Sequence, residues 1–268
     1  MHYSNSANRK NMTDMIKLIS LCALIAILGI AQGGYAADLQ PYEAVYASKL
    51  KGFNVHIKRR LQLREDEITV SVDVKKFWLG LHESSVLDFH DDAHLYPGNY
   101  IHKRRGMSHE HDKNLVFDWD DDSVIDLLKP ERPPLPVAEP SYDKLSYQTQ
   151  MRLDLLRNPD MQHVEYCVTN GVRNRVYSFE RLSEEVLDTP LGKLNTIKFK
   201  RGGDDDDRLV YVWVARDWNF LLVRIDQTKT SGGKTERMIL KRARIAGQKV
   251  TALPHRLADN TASIQSPK

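Results

Sequence analysis

A period-two alternation of apolar and polar residues constrains this chain more than any other feature. Ile68, Val70, Val72 and Val74 alternate with Thr69, Ser71 and Asp73. That pattern puts one set of side chains against a core and the other toward solvent only in an extended strand. The segment before it does the same, with Val55, Ile57, Leu61 and Leu63 on one face and His56, Lys58, Arg60, Gln62 and Arg64 on the other. Arg59 interrupts the apolar face. Further strand-like runs are 43–50, 84–89, 100–109, 113–119, 163–169 and 172–182, then 193–200, 209–214, 220–227 and 236–245. Asn170-Gly171, Gly202-Gly203 and Gly232-Gly233 mark turns at hairpin distances. Consecutive strands joined this closely predict a mainly β, antiparallel sheet, because parallel pairing needs long helical crossovers.

One stretch departs from this pattern. Residues 129–140 hold five of the eleven prolines, which predicts an extended segment outside any ladder. Asp143 follows as a helix cap, and the helix runs to about Arg157, where Asn158-Pro159 stops it. Tyr147, Met151 and Leu155 recur every four residues, and Leu145 and Leu156 widen that face, so the helix is expected to cover the sheet.

The N-terminus reads as an export signal. Leu18 to Ala31 is apolar apart from Ser20, Cys22 and Gly29; Arg9, Lys10 and Lys17 precede it, and Gly34 and Ala36 occupy the small-residue cleavage positions. The run is shorter than the roughly 20 residues of a membrane-spanning helix. Cys22 lies too early in the run, behind too large a residue, for a lipoprotein box. The expected organisation is a signal peptide at 1–36, preceding one β-rich domain at 37–250 and a loose polar tail at 251–268. Location is then periplasmic, with no transmembrane span in the mature chain. The formal charge of +3 belongs mostly to the signal; without residues 1–36 the chain holds 36 basic and 35 acidic residues. That near-balance removes the electrostatic basis for a nucleic-acid partner. Cys167 alone remains, so no internal disulfide forms, and its place beside Tyr166 in a strand predicts a small core residue.

Candidate chemistry is sparse. Six of the ten histidines lie between His82 and His111. His90 and His94 in a strand would stand about 13 Å apart, too far to share an ion. His109 and His111 could point the same way from a strand and are the candidate metal pair, although zinc sites take three or four ligands. Asp204 to Asp207 lack the alternating spacing of a calcium loop and read as a hairpin tip. Ser141 and Lys144 form a Ser-x-x-Lys without its companion motifs, in what reads as a linker. Gly233-Lys234-Thr235 lacks the first glycine of a phosphate loop. No motif calls for a cofactor.

Several phrases carry a resemblance: Phe117-Asp118-Trp119-Asp120, Asp143-Lys144-Leu145-Ser146-Tyr147-Gln148, Leu187-Asp188-Thr189-Pro190-Leu191-Gly192, and Val212-Trp213-Val214-Ala215-Arg216-Asp217 running into Leu221-Leu222-Val223-Arg224-Ile225. Together, from about Pro41 to Ile245, they resemble the bacterial exported family catalogued as domain of unknown function 3108. The resemblance implies one curved antiparallel sheet, a half-barrel or β-roll similar in outline to LolA/LolB-type lipoprotein carriers. It implies no activity and transfers no catalytic residue.

Two classes of function follow. One is a non-enzymatic envelope protein whose curved sheet binds an apolar or lipid-like ligand or docks an envelope partner. The other is a metal-dependent or hydrolytic enzyme using residues 82–111. The first is favoured, since no catalytic motif survives. Its ligand site is placed at Arg59 with Val55, Ile57 and Leu61: a buried arginine either pairs with an internal carboxylate, and is then structural, or stands at a cavity wall to meet an anionic head group.

Overall fold

The computed structural model describes residues 39–50, 53–64, 67–89, 93–203 and 207–252. The expected signal, most of the tail, His90 and Asp204 to Asp206 lie outside them. The first half of the described chain holds β1 (Tyr42–Leu50), β2 (Phe53–Arg64), β3 (Glu67–Lys76), β4 (Leu79–Phe89), β5 (Leu95–Arg105), β6 (Lys113–Asp118), β7 (Ser123–Asp126), β8 (Leu135–Pro136) and β9 (Ser141–Tyr142). The helix α1 (Ser146–Arg157) follows. Then come β10 (His163–Thr169), β11 (Asn174–Thr189), β12 (Gly192–Gly203), β13 (Arg208–Ala215), β14 (Leu221–Lys229), β15 (Glu236–Ile245) and β16 (Gln248–Lys249).

All the strands join one sheet, in the order β8-β7-β6-β5-β4-β3-β2-β1-β15-β14-β13-β12-β11-β10-β9, with β16 on β15. Each half is a meander of hairpins, and β1 joins them by pairing with β15, Tyr42 opposite Ile245. Every pairing is antiparallel except β9 with β10. The two edges, β8 and β9, are consecutive in sequence, separated only by residues 137–140. Five virtual bonds span at most about 18 Å, so the sheet must curl until its edges are neighbours. Polar contacts bridge the gap: Asn174 Nδ2 on β11 donates to the Pro136 carbonyl at 2.8 Å, and Lys113 Nζ donates to the Asn170 carbonyl.

The helix divides the core of this trough. Leu145 and Leu153 join a cluster with Leu61, Leu115 and Leu240 from the first half and β15. Tyr147, Met151 and Leu155 join Phe179, Ile197, Phe199 and Val214 from β11 to β13. The expected apolar face is therefore real, but it covers only part of the helix: Thr149, Gln150 and Arg152 are buried as well. Sheet backbone and side chains accept that polarity. Gln150 Oε1 takes the Leu95 N–H at 2.8 Å and its Nε2 donates to the Ala93 carbonyl at 3.0 Å. Tyr166 donates to Asp154 at 2.6 Å.

Several local expectations are corrected. The helix begins at Ser146, and Leu145 at its N-cap position makes no side-chain cap bond. Asp143 acts one step earlier, its Oδ1 accepting the Leu145 and Ser146 N–H groups at 2.7 and 3.0 Å. The proline-rich stretch supplies β8, and Ser141 belongs to β9, fully buried, rather than to a linker. Gly202 and Gly203 end β12 instead of forming the turn. Cys167 is only partly buried, because its neighbours Tyr166 and Val168 take the core-facing positions and alternation sends it to the other face. The strand expected to reach His109 stops at Arg105, where Gly106 turns with φ +69°.

Candidate functional site

The apolar face of β2 runs Val55, Ile57, Arg59, Leu61 as its alternation requires. Arg59 is 6% exposed, in the middle of a strand flanked by β1 and β3. Its Nη1 donates to Gln148 Oε1 at 2.8 Å, and Tyr42 lines the same cavity beside it. Its Nε is buried without a partner. Arg152, on α1, is 5% exposed. Its Nε donates to the Asn219 carbonyl at 2.6 Å, its Nη2 donates to Asn219 Oδ1, and its Nη1 is buried without a partner. Both arginines line one cavity of about 50 Å³, between α1 and the strands β1, β2, β11, β13 and β14. Met151, Leu155, Phe179, Val214, Phe220 and Leu222 form its apolar wall, and among the described residues no Asp or Glu lines it.

Two guanidinium groups thus share a low-dielectric space with no counter-ion. Burial alone pulls Arg152 down to about 10, with Tyr42 and Tyr46 opposing it, so it remains a cation at neutral pH. Burial also works against the Arg59 charge, but the oxygens of Tyr42, Tyr46 and Tyr147 outweigh it and hold its pKa above the ordinary value. Burial pushes the Tyr46 and Tyr147 phenols up, which keeps them neutral, and Tyr46 donates to the Leu222 carbonyl at 2.8 Å. The arrangement is chemically an anion receptor with an apolar wall: charge, unspent N–H groups and no acid.

The other residues singled out from the sequence sort differently. Leu61 lines the cavity with Arg59, whereas Val55 is buried and Ile57 half-buried farther along β2, outside its wall. His109 and His111 lie in the turn after β5, not on a strand; His109 Nδ1 sits 2.7 Å from Asp112 Oδ2 and His111 is exposed. His82 faces Asp73 at 3.0 Å and His102 faces Glu83 at 2.7 Å, so each of these histidines takes its own carboxylate. Among the described residues, no group of three or more His, Cys, Asp or Glu is placed to hold a metal ion. Lys144 Nζ is engaged by Glu83 at 2.7 Å, and the Ser141 hydroxyl is sealed in without a partner.

Sequence reasoning singled out Arg59 and did not single out Arg152, Tyr42, Gln148 and Asn219, which the structure places around the same cavity. A signal for Arg152 existed. The helix sequence SYQTQMRLDLLR has no clean apolar stripe, and a helix lying in a curved sheet must then bury polar groups.

Fold and cavity define a class, a barrel-like β protein whose curved sheet stays open between β8 and β9 and packs on one helix, with a cationic pocket between them. The family described as "Protein of unknown function (DUF3108)" matches residues 46–240, and the chain belongs to that family. No curated protein matches its sequence. Among solved structures it is similar to a beta-barrel-like protein of domain of unknown function DUF1849 from Brucella abortus, at 10% identity and a TM-score of 0.53, covering 77% of this chain and 98% of that one. A protein provisionally described as a lipoprotein, from Parabacteroides distasonis, matches at 12% identity and a TM-score of 0.34 over 77% of this chain and 96% of its own. The first likeness supports the barrel-like fold. Among the described residues, no helix is long and apolar enough to cross a membrane.

Proposed function

We propose that this protein is a non-enzymatic binding protein of the bacterial envelope that holds the anionic head of an amphiphile between Arg59 and Arg152. One observation carries this reading: two nearly fully buried guanidinium groups line the same cavity, each with an unpartnered nitrogen, and no carboxylate among the described residues lines it. An uncompensated buried charge costs several kcal/mol, and two of them are retained more readily for a ligand than for stability. The separate carboxylate partners of His82, His102 and His109 support binding over catalysis. The envelope location rests on the signal-like segment at 1–36. The cavity as it stands accommodates a carboxylate or phosphate group and a few solvent-sized volumes, so a longer tail is received by α1 moving off β13 and β14.

Native mass spectrometry of protein purified from the envelope tests the reading, with calorimetry using octanoate, octyl phosphate and octanol. Retention of an anionic amphiphile, and binding of the two anions but not octanol, is the expected result. No retained mass together with no binding of either anion overturns it.

A further inference from the structure

We propose that one end of the sheet is a membrane-docking tip that settles on anionic lipid through Phe77 and Trp78. The topology gathers that end. Strands β1, β3 and β5 all run toward it, so the turns after them lie together, and β7 returns there to place Leu127 and Leu128, with the Leu127 N–H on the Asn114 carbonyl at 2.8 Å. Large apolar side chains are exposed where these turns meet: Phe77 at 76%, Trp78 at 73% and Phe53 at 65%, with Leu79 and Met107 beside them. Scattered exposed apolar residues are ordinary; several on adjacent turns at one end of a molecule are not.

The tip is built rather than frayed. Phe77 holds φ +53°, a left-handed conformation that a bulky side chain adopts at a cost. Gly106 on the next turn, at φ +69°, lets that turn close on Trp78: a Cβ there would lie 2.7 Å from the Trp78 carbonyl oxygen and 3.1 Å from its ring. Two neighbouring turns are thus interlocked to present aromatic residues outward.

Charge selects the partner. Lys75 and Arg105 flank Gly80 from either side in the three-strand register, and Lys76 and Lys103 sit one step and two steps away on the same strands. Among the described residues none of these four cations forms an ion pair, and Lys76 Nζ stands 4.8 Å over the Phe77 ring. Among the described carboxylates at this end, Asp112, on the turn after β5, faces His109 at 2.7 Å, Glu110 is exposed on the same turn, and Asp207, on the turn between β12 and β13, is separated from the Phe77 turn by β2, β1, β15 and β14 in the sheet order. Aromatic rings that settle at headgroup depth, collared by lysine and arginine, match an anionic bilayer surface, whereas protein interfaces are depleted in lysine. This surface is separate from the cavity and does not depend on its ligand.

Vesicle sedimentation of the envelope-purified protein tests the proposal, comparing pure phosphatidylcholine with mixtures containing phosphatidylglycerol. The expected result is preferential binding to the anionic vesicles at low ionic strength, lost near 1 M salt, where screening falls to roughly 3 Å. Phe77→Ser with Trp78→Ser should lower the partition about tenfold or more, and Lys75→Glu with Arg105→Glu should abolish the lipid preference. Both variants change exposed side chains, so the far-ultraviolet circular dichroism should be unchanged. Brominated lipid should quench the wild-type tryptophan fluorescence, and Trp78→Phe should remove that quenching. Equal partition of the wild type and the Phe77/Trp78 double variant overturns the proposal. So does a wild-type dimer that the double variant dissolves, because the tip would then join two copies of the chain.

Discussion

The Arg152 guanidinium lies over the ring of Tyr42, 5.0 Å from its centroid, and Arg59 lines the same cavity beside this tyrosine. One aromatic residue on β1 therefore serves two buried cations. A desolvated cation–π contact contributes about 2 kcal/mol, less than the several kcal/mol that burying a guanidinium without a counter-ion costs. The free protein carries a deficit here that an anionic ligand would offset.

That deficit gives a prediction with opposite signs for stability and binding. Arg59→Met fills the same volume with an apolar side chain and frees only Gln148, which is half-exposed and can turn to water. Chemical denaturation should show the variant as stable as the wild type or up to about 2 kcal/mol more so, while octanoate binding is lost. A variant destabilised by about 3 kcal/mol or more would mean that Arg59 is structural.

The second prediction concerns acid. Glu83 is buried on β4, and burial alone would raise its pKa, but hydrogen bonds from His102 and Lys144 hold it down to about 2 from an ordinary 4.5. Between these values the unfolded chain binds a proton that the folded chain does not, so stability present above about pH 4.5 is lost as the pH falls toward 2. The linked energy is about 3 kcal/mol. Glu83→Gln should remove most of that amount at neutral pH and flatten the dependence of urea midpoint on pH in this window. Asp226, held down to about 2 by Arg224 and Arg237, should leave a shallower residual slope.

A third prediction addresses how the curled sheet meets itself. Gly171, in the turn between β10 and β11, has φ +74°, and a Cβ there would lie 2.5 Å from Leu115 Cδ2 on β6. The two strand systems touch at this point without a ladder. Gly171→Ala combines a left-handed backbone with a clash, and should cost about 1 to 2 kcal/mol. Hydrogen exchange should quicken in β6 and β10 before β1 and β2. Uniform exchange across the sheet would show that the contact does not hold the edges together.

Much of this architecture was legible in local pattern. Alternation at 55–74 placed β2 and β3, and His163–Thr169 and Glu236–Ile245 matched their strands end to end. Arg59 stood out because it violated an otherwise consistent face. What stayed hidden depends on long-range pairing. Nothing local in Tyr42 or Ile245 announces that β1 pairs with β15, and that pairing curls the sheet. Arg152 and Asn219 meet across 67 residues, so neither could be assigned to a site from its own neighbourhood. His109 was misplaced because a run of polar residues continued the strand pattern past Gly106, whose positive φ ends it.

Asn219 offers the sharpest test of the paired arginines. Asn219 and Phe220 follow one another at φ +52° and +50°, a strained pair of residues just before β14. This backbone aims the Asn219 carbonyl and Oδ1 at Arg152, and the same Oδ1 accepts the Gln40 N–H at 3.2 Å. Asn219→Asp keeps an oxygen in that position and exchanges the amide nitrogen for a second, charged oxygen, and aspartate tolerates the left-handed region as asparagine does. Arg152 then acquires the carboxylate that it lacks. A charge-assisted bond contributes about 1.5 to 3 kcal/mol, so the thermal midpoint should rise. With one of its two charges offset, the cavity should lose about tenfold or more in octanoate affinity, since one favourable charge interaction of that size corresponds to at least one decade in binding. A titration in which Asn219→Asp binds octanoate as tightly as the wild type would remove Arg152 from the site and leave Arg59 to hold the anion alone.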